Sequence, residues 1–173
     1  GITSYNFVTS DCPNDGDYAI RTATQNCFAS TWHSITSDHT GNPNGYMMVI
    51  NASYERGVFY TEVVRNLCAG TTFQFSAYLL NLLRNSTCPG SAILPDITFL
   101  IEKTDGTVIG SLNTGPIASS AIPTWLQYGF VFISVVWKKI GFTDDQLNIY
   151  FDFNFDFLKI MGIIFISIIH FDM

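Results

Sequence analysis

The chain has 173 residues, 47% apolar, 15% aromatic and only 13% charged, with 8 basic against 14 acidic residues for a net charge of −6. This length suits one domain, and high apolar content with little charge excludes intrinsic disorder. A duplex-binding surface needs clustered Lys and Arg to displace counterions; the sequence has no such cluster, so nucleic acid is not an expected partner.

In chain order, residues 5–10 read as a first strand, closed by the turn cluster Cys12-Pro13-Asn14-Asp15-Gly16. Asp17 to Thr24 alternates through Tyr18, Ile20 and Thr22 as a half-buried strand, and Ser30 to Asp38 follows with Trp32 and Ile35 inward. The octapeptide Asp38-His39-Thr40-Gly41-Asn42-Pro43-Asn44-Gly45 is almost pure turn chemistry, and it runs into the apolar strand Tyr46 to Asn51. Gly57 to Val64 is the next strand. In Thr71 to Asn81, Phe73, Phe75, Ala77 and Leu79 alternate with Thr72, Gln74, Ser76 and Tyr78, which predicts one buried and one outward face. Ile97 to Glu102 and Val108 to Leu112 form a hairpin about Asp105-Gly106, and Trp125 to Phe132 alternates again. No segment of helical length and 3.6-residue period occurs before residue 140, so the expected class is an all-β sandwich or barrel.

The chain changes character after Val136. Residues 138–173 contain no Ala, Val, Pro, Arg, Glu, Cys or Trp, and are written mainly in Phe, Ile, Asp, Asn, Lys, Leu and Tyr. Ile149 to Phe157 alternates like a strand, and Gly162 to Ile169 is an apolar run that Lys159 cuts short of a membrane span. The expected division is a sandwich over 1–136 and an atypical tail over 137–173, read either as final strands or as a degenerate, frameshifted segment. The chain opens on Gly with no leader-like segment, as a mature chain or a domain of something longer would.

The four cysteines are Cys12, Cys27, Cys68 and Cys88, with no zinc-type spacing around His33, His39 or His170. Three pairings are open. The sequential one, Cys12 with Cys27 and Cys68 with Cys88, closes two short loops worth roughly 3 kcal/mol each and implies an oxidising compartment. The alternative is four buried thiols in a reducing one.

Trp32-His33, the stretch Asp38 to Ser53, Gly57 to Tyr60, Leu67 to Tyr78 and Pro123 to Phe130 together resemble a known module. It is the jelly-roll domain repeated in large secreted surface proteins of Bacteroidetes that carry gliding-motility-type sorting domains. It is also similar, more distantly, to MAM domains and galactose-binding-like carbohydrate-binding modules. The resemblance covers roughly residues 5–133 and implies a two-sheet antiparallel jelly-roll sandwich. It further implies a non-catalytic, secreted or cell-surface role in binding or adhesion, with glycans or cell-surface polymers and other domains of the same large protein as partners. A ligand-free spacer repeat is the alternative, and a glycan-active enzyme a third. Family members end in a strand with paired acidic residues, which this chain lacks.

Ca²⁺ takes 6–8 oxygens. The octapeptide offers Asp38, Asn42 and Asn44 side chains and carbonyls around Thr40 and Gly45, and the resemblance implies a structural Ca²⁺ there; Asp17 and Asp172 are candidate completing ligands. Of the aromatic residues that could stack on a pyranose (Trp32, Trp125, Tyr46, Tyr54, Tyr60 and Tyr78), Tyr54 and Tyr60 stand next to turns and are the expected ligand platform, while Trp125 is expected in the core. His33 and His39 read as loop or surface residues, no G-x-S-x-G is present, and no carboxylate pair suits glycoside hydrolysis. No catalytic residue is therefore expected. Asn51-Ala52-Ser53 and Asn85-Ser86-Thr87 are glycosylation sequons.

Overall fold

A computed structural model describes residues 3–53, 57–64, 67, 70–87, 89–134, 147–153 and 163–172, the last two stretches as backbone. Ten strands form: β1 (Asn6–Phe7), β2 (Asp17–Arg21), β3 (Met47–Asn51), β4 (Val58–Val64), β5 (Thr72–Leu79), β6 (Asp96–Lys103), β7 (Val108–Pro116), β8 (Leu126–Ile133), β9 (Leu147–Phe153) and β10 (Ile163–Asp172). They make a six-stranded sheet, β1-β2-β3-β10-β5-β8, and a four-stranded sheet, β4-β9-β6-β7. Every pair is antiparallel except β1 with β2. The orders 3-10-5-8 and 4-9-6-7 are those of a jelly roll, a double Greek key in which the chain crosses repeatedly between two layers. Both sheets take strands from either side of residue 137: β9 lies between β4 and β6, and β10 between β3 and β5.

The alternation in the sequence sets which face is buried. Phe73, Phe75, Ala77 and Leu79 of β5 meet Ile50 of β3, Phe132 of β8, Phe59 of β4 and Ile97, Phe99 and Ile101 of β6 in one core between the sheets. Phe75 sits at its centre, with ring centroids 5.2 Å from Phe99 of the opposite sheet and 5.8 Å from Phe130. The hairpin between β6 and β7 forms as expected, with Gly106 at φ 84° and the Thr107 N–H donating to Asp105 Oδ1 at 2.8 Å.

A second core lies on the other face of the six-stranded sheet. The segment between β2 and β3 crosses that face and packs Cys27, Trp32 and Ile35 on Met47 and Val49 of β3 and on Leu80, Leu82 and Leu83 after β5. This is why β3 reads as a continuous apolar run: both of its faces are covered. The expected strand from Ser30 to Asp38 does not form; the segment makes only isolated bridges, Thr24 with Ile35 and Trp32 with Leu83. The cause is local, since Asn26, Phe28, Ala29 and Ser30 all take positive φ (53°, 49°, 53° and 64°) and coil the chain over the sheet rather than extending it.

The Cys12–Cys27 disulfide staples this cover, with Cα atoms 5.4 Å apart and 15 residues between them in sequence. Cys68 and Cys88, the other expected pair, lie outside the described residues. Replacing Cys12 and Cys27 by Ser should lower stability by about 3 kcal/mol in the chain-entropy picture. For a chain this long that is a fall in Tm of roughly 6–12 °C, read by calorimetry. A change under about 2 °C would mean that the second core holds without its staple.

Candidate functional site

The cover over the six-stranded sheet reaches β5 at Tyr78, and beyond it the outward side of β5 and β8 is exposed at Thr72, Gln74, Gln127, Val131 and Ile133. Antiparallel register places Thr72 opposite Ile133, Gln74 opposite Val131, Ser76 opposite Gly129 and Tyr78 opposite Gln127, all with the parity opposite to the core. Seven residues of strand, Thr72 to Tyr78, make this face about 20 Å long. Val131 and Ile133 are 63% and 57% exposed.

One end of the face is walled by aromatic rings. His39, from the octapeptide, stacks on Tyr78 with centroids 4.0 Å apart and planes 22° from parallel; Trp125 meets His39 edge-on at 6.3 Å. Trp125 is rooted in the second core, so the wall is fixed from below. Three segments far apart in sequence thus converge: the β2–β3 cover, the end of β5 and the approach to β8. Aside from His39, the described side chains of this face and wall are uncharged, with the Gln74 and Gln127 amides supplying donors and acceptors.

The octapeptide is tied to itself. Asp38, 6% exposed, accepts at Oδ1 from the Thr40 N–H at 2.8 Å, the Thr40 hydroxyl at 2.6 Å and the Asn42 N–H at 3.0 Å. The Asn44 N–H donates to Asn42 Oδ1 at 3.0 Å, and Gly45 N–H to the Asn42 carbonyl at 3.1 Å. A Cβ on residue 45 would stand 1.9 Å from Asp38 Oδ2, so only glycine lets the carboxylate lie there. The Thr40 hydroxyl first, then the loop N–H groups, hold the Asp38 carboxyl below its usual range. Its contribution to stability is therefore complete above about pH 4 and is lost as the pH falls through its lower folded value.

Within the loop, part of this oxygen set is already engaged by the loop's own donors. Asp38 Oδ1 already takes three donors, and Asn42 Oδ1 takes one. Asp17 pairs with Asn51 at the opposite end of β3 from Gly45, and Asp172 pairs with Gln74, four residues along β5 from Tyr78. Among the described residues no three His, Cys, Asp or Glu side chains are grouped to hold a metal. The structure thus brings Asp38, Thr40, Asn42, Asn44 and Gly45 together as a hydrogen-bonded turn, and leaves Asp17 apart. Adding EDTA, then millimolar Ca²⁺, should move Tm by less than about 1 °C, whereas saturation of a real site at 100 times its Kd would add about 2.7 kcal/mol. A shift of several degrees would restore the cage.

Tyr60 does not reach the walled face. It lies on β4 in the other sheet, packs against the main core and donates its hydroxyl to Glu62; burial first, then Glu62, raises its pKa. Tyr54 lies outside the described residues. Asn51 is buried with its amide on the Pro13 carbonyl at 3.0 Å, whereas Asn85 is exposed in a turn. His33, expected as a loop or surface residue, lies in the irregular segment between β2 and β3 and is 3% exposed. Sequence reasoning named Tyr78 and Trp125 among the aromatic candidates but not their meeting with His39, because that contact depends on where the β2–β3 cover crosses the sheet. The outward parity of Gln74 and Tyr78 was the one local signal.

Among the described residues no helix is long and apolar enough to cross a membrane. No protein-family model matches the chain, and no curated protein sequence does. Solved structures do. The Stig cyclase Fisc from Fischerella sp. TAU, solved with (3Z)-3-(1-methyl-2-pyrrolidinylidene)-3H-indole, is similar at 12% identity and TM-score 0.57 over 90% of this chain and 73% of that one, a likeness of fold. The EclA C-terminal domain, a sugar-binding protein, matches at 11% identity and TM-score 0.44 over 66% of each chain. The enzymatically active domain of bacteriophage CBA120 tailspike protein 4 matches at 14% identity and TM-score 0.45 over 79% of this chain; the chain spans only 16% of its length.

Proposed function

We propose that the chain is a non-catalytic glycan-binding module of a larger secreted or cell-surface protein, and that it takes its ligand on the outward face of β5 and β8. The observation that carries this reading is the stacked wall of His39, Tyr78 and Trp125 at the end of a β5–β8 face whose described side chains, Gln74 and Gln127 among them, are uncharged. Aromatic rings pack on the apolar face of a pyranose, and side-chain amides exchange hydrogen bonds with its hydroxyls without the desolvation cost of a charge. A face about 20 Å long with this lining suits several consecutive sugars of a neutral polysaccharide rather than a single monosaccharide.

The Cys12–Cys27 disulfide supports an oxidising, extracellular setting. The remaining parts of the parent protein would bring the module to its polymer or to the cell surface.

The test is affinity electrophoresis and calorimetry of the intact chain against neutral and acidic polysaccharides. The reading expects saturable binding to at least one neutral polymer, no release of reducing sugar, and loss of binding when Gln74 and Gln127 are both replaced by Ala. Binding of none would leave the module a spacer, and turnover of any would make it an enzyme; either overturns the proposal.

A further inference from the structure

We propose that His33 is an acid-released latch on the segment that carries Trp125, so that the aromatic wall loosens on acidification. His33 is buried beneath the second core, with Nε2 3.1 Å from the Ser120 carbonyl. A carbonyl only accepts, so Nε2 carries the proton and the neutral ring is the donor. The same carbonyl accepts the Asn85 N–H at 3.1 Å, and Arg84, bridged to Ser120, donates Nε to the Trp32 carbonyl at 3.1 Å. Ser120 is therefore the point where the cover, the post-β5 segment and the approach to β8 are fastened together.

The fastening reaches Trp125 through a short, internally bonded turn. The Ser120 hydroxyl donates to the Ile122 carbonyl at 2.5 Å and the Thr124 hydroxyl to the same carbonyl at 3.0 Å, with Trp125 next in sequence and packed on the second core. Charging the ring would place an extra N–H and a full positive charge in a buried site that already faces a cation. Arg84 is the charged group acting on His33, and the neighbouring segments 24–35 and 117–125 carry no other ionisable side chain except the disulfide-bonded Cys27. Among the described residues no carboxylate acts on His33 to compensate.

Burial first, then Arg84, lowers the affinity of the folded site for the proton, while the Ser120 carbonyl opposes them. The sign follows: the latch is complete above the unfolded histidine value near pH 6.5, and weakens as the pH falls below it. A single proton taken up on opening raises the open population by up to about tenfold per pH unit.

Hydrogen exchange of the intact chain, corrected for intrinsic rates, reads this directly without any ligand. Between pH 7 and 5 the amides of 118–125 should lose protection progressively, by at most about tenfold per pH unit, while those of β6 do not. In His33→Gln, whose amide can still donate to Ser120, the protection should become independent of pH. An unchanged pH dependence in that variant overturns the latch, and so does its absence in the parent chain. If His33→Gln does not fold, Arg84→Gln, which removes the repelling cation, should shrink the acid-induced loss of protection, and an undiminished loss is the contrary result. The consequence for affinity rests on the glycan reading: binding should weaken between pH 7 and 5 in the parent and not in His33→Gln. Loss of ligand binding altogether would leave the exchange result standing, so the two failures are separable.

Discussion

Tyr78→Ala should weaken binding to the neutral polysaccharide about 30-fold while leaving the fold in place. Tyr78 stands at the seam of the wall, under His39 and beside the β5–β8 floor, so truncation removes a stacking surface and also frees His39 from its support. Buried aromatic anchors at the centre of an interface typically cost about 2 kcal/mol or more on truncation, which is about a 30-fold change in Kd. Two companions sharpen the result. Tyr78→Phe keeps the ring and should stay within about threefold if stacking dominates. Tyr46→Ala removes a ring that is 69% exposed but has the parity of the core-facing Met48, and should leave Kd unchanged. Calorimetric titration separates these outcomes. Equal losses at Tyr46 and Tyr78 would mean that the ligand uses exposed aromatic residues indiscriminately and not the walled face.

The largest effect on stability should come from Phe75→Ala. Phe75 has no exposed surface, meets Phe99 of the opposite sheet and packs on Phe130 of the neighbouring strand. Truncating a buried phenylalanine costs about 3–5 kcal/mol, from lost transfer energy and from the cavity left in a closely packed interior. Against a total stability of roughly 5–15 kcal/mol this lowers Tm by about 10 °C or more. Phe75→Leu, which fills most of the volume, should recover over half of the loss. A small effect in urea melts of Phe75→Ala would contradict a single shared core between the sheets.

Much of the fold was legible because period-two alternation is a direct image of a sheet with one buried face. The stretches Thr71 to Asn81 and Trp125 to Phe132 were read from it and form β5 and β8, while the β6–β7 hairpin was read from its Asp105-Gly106 turn. The Cys12–Cys27 bond belongs to the sequential pairing, one of three that the cysteines left open. The stretch from Ser30 to Asp38 misled because Trp32 and Ile35 are buried for a reason other than strand pairing: they plug a second core from an irregular segment with left-handed residues at 28–30. The same segment carries His33, a loop residue as expected but buried. Its neighbours in space, Ser120 and Arg84, are 87 and 51 positions away, and no local pattern announces them.

The octapeptide gives a sharper lesson about composition. Asp, Thr, Asn and Gly are the residues of oxygen cages, but they are equally the residues whose side chains bond to their own backbone. What decides between the two is whether the oxygens point at N–H groups or at a common centre, and sequence does not encode that. Here Asp38 Oδ1 gathers three donors of its own loop. The turn's role at the site is then to deliver His39, the residue after Asp38, onto Tyr78.

The central claim is that the outward face of β5 and β8, closed by His39, Tyr78 and Trp125, is where a glycan lies. Chemical-shift mapping with a soluble neutral oligosaccharide tests it most directly. The account expects saturating shifts at Gln74, Tyr78, Gln127, Val131 and the Trp125 indole, with Tyr60 on β4 and the β6–β7 hairpin silent. Shifts confined to the hairpin, to Tyr60 or to the Cys12–Asp17 turn would place the ligand elsewhere and contradict it.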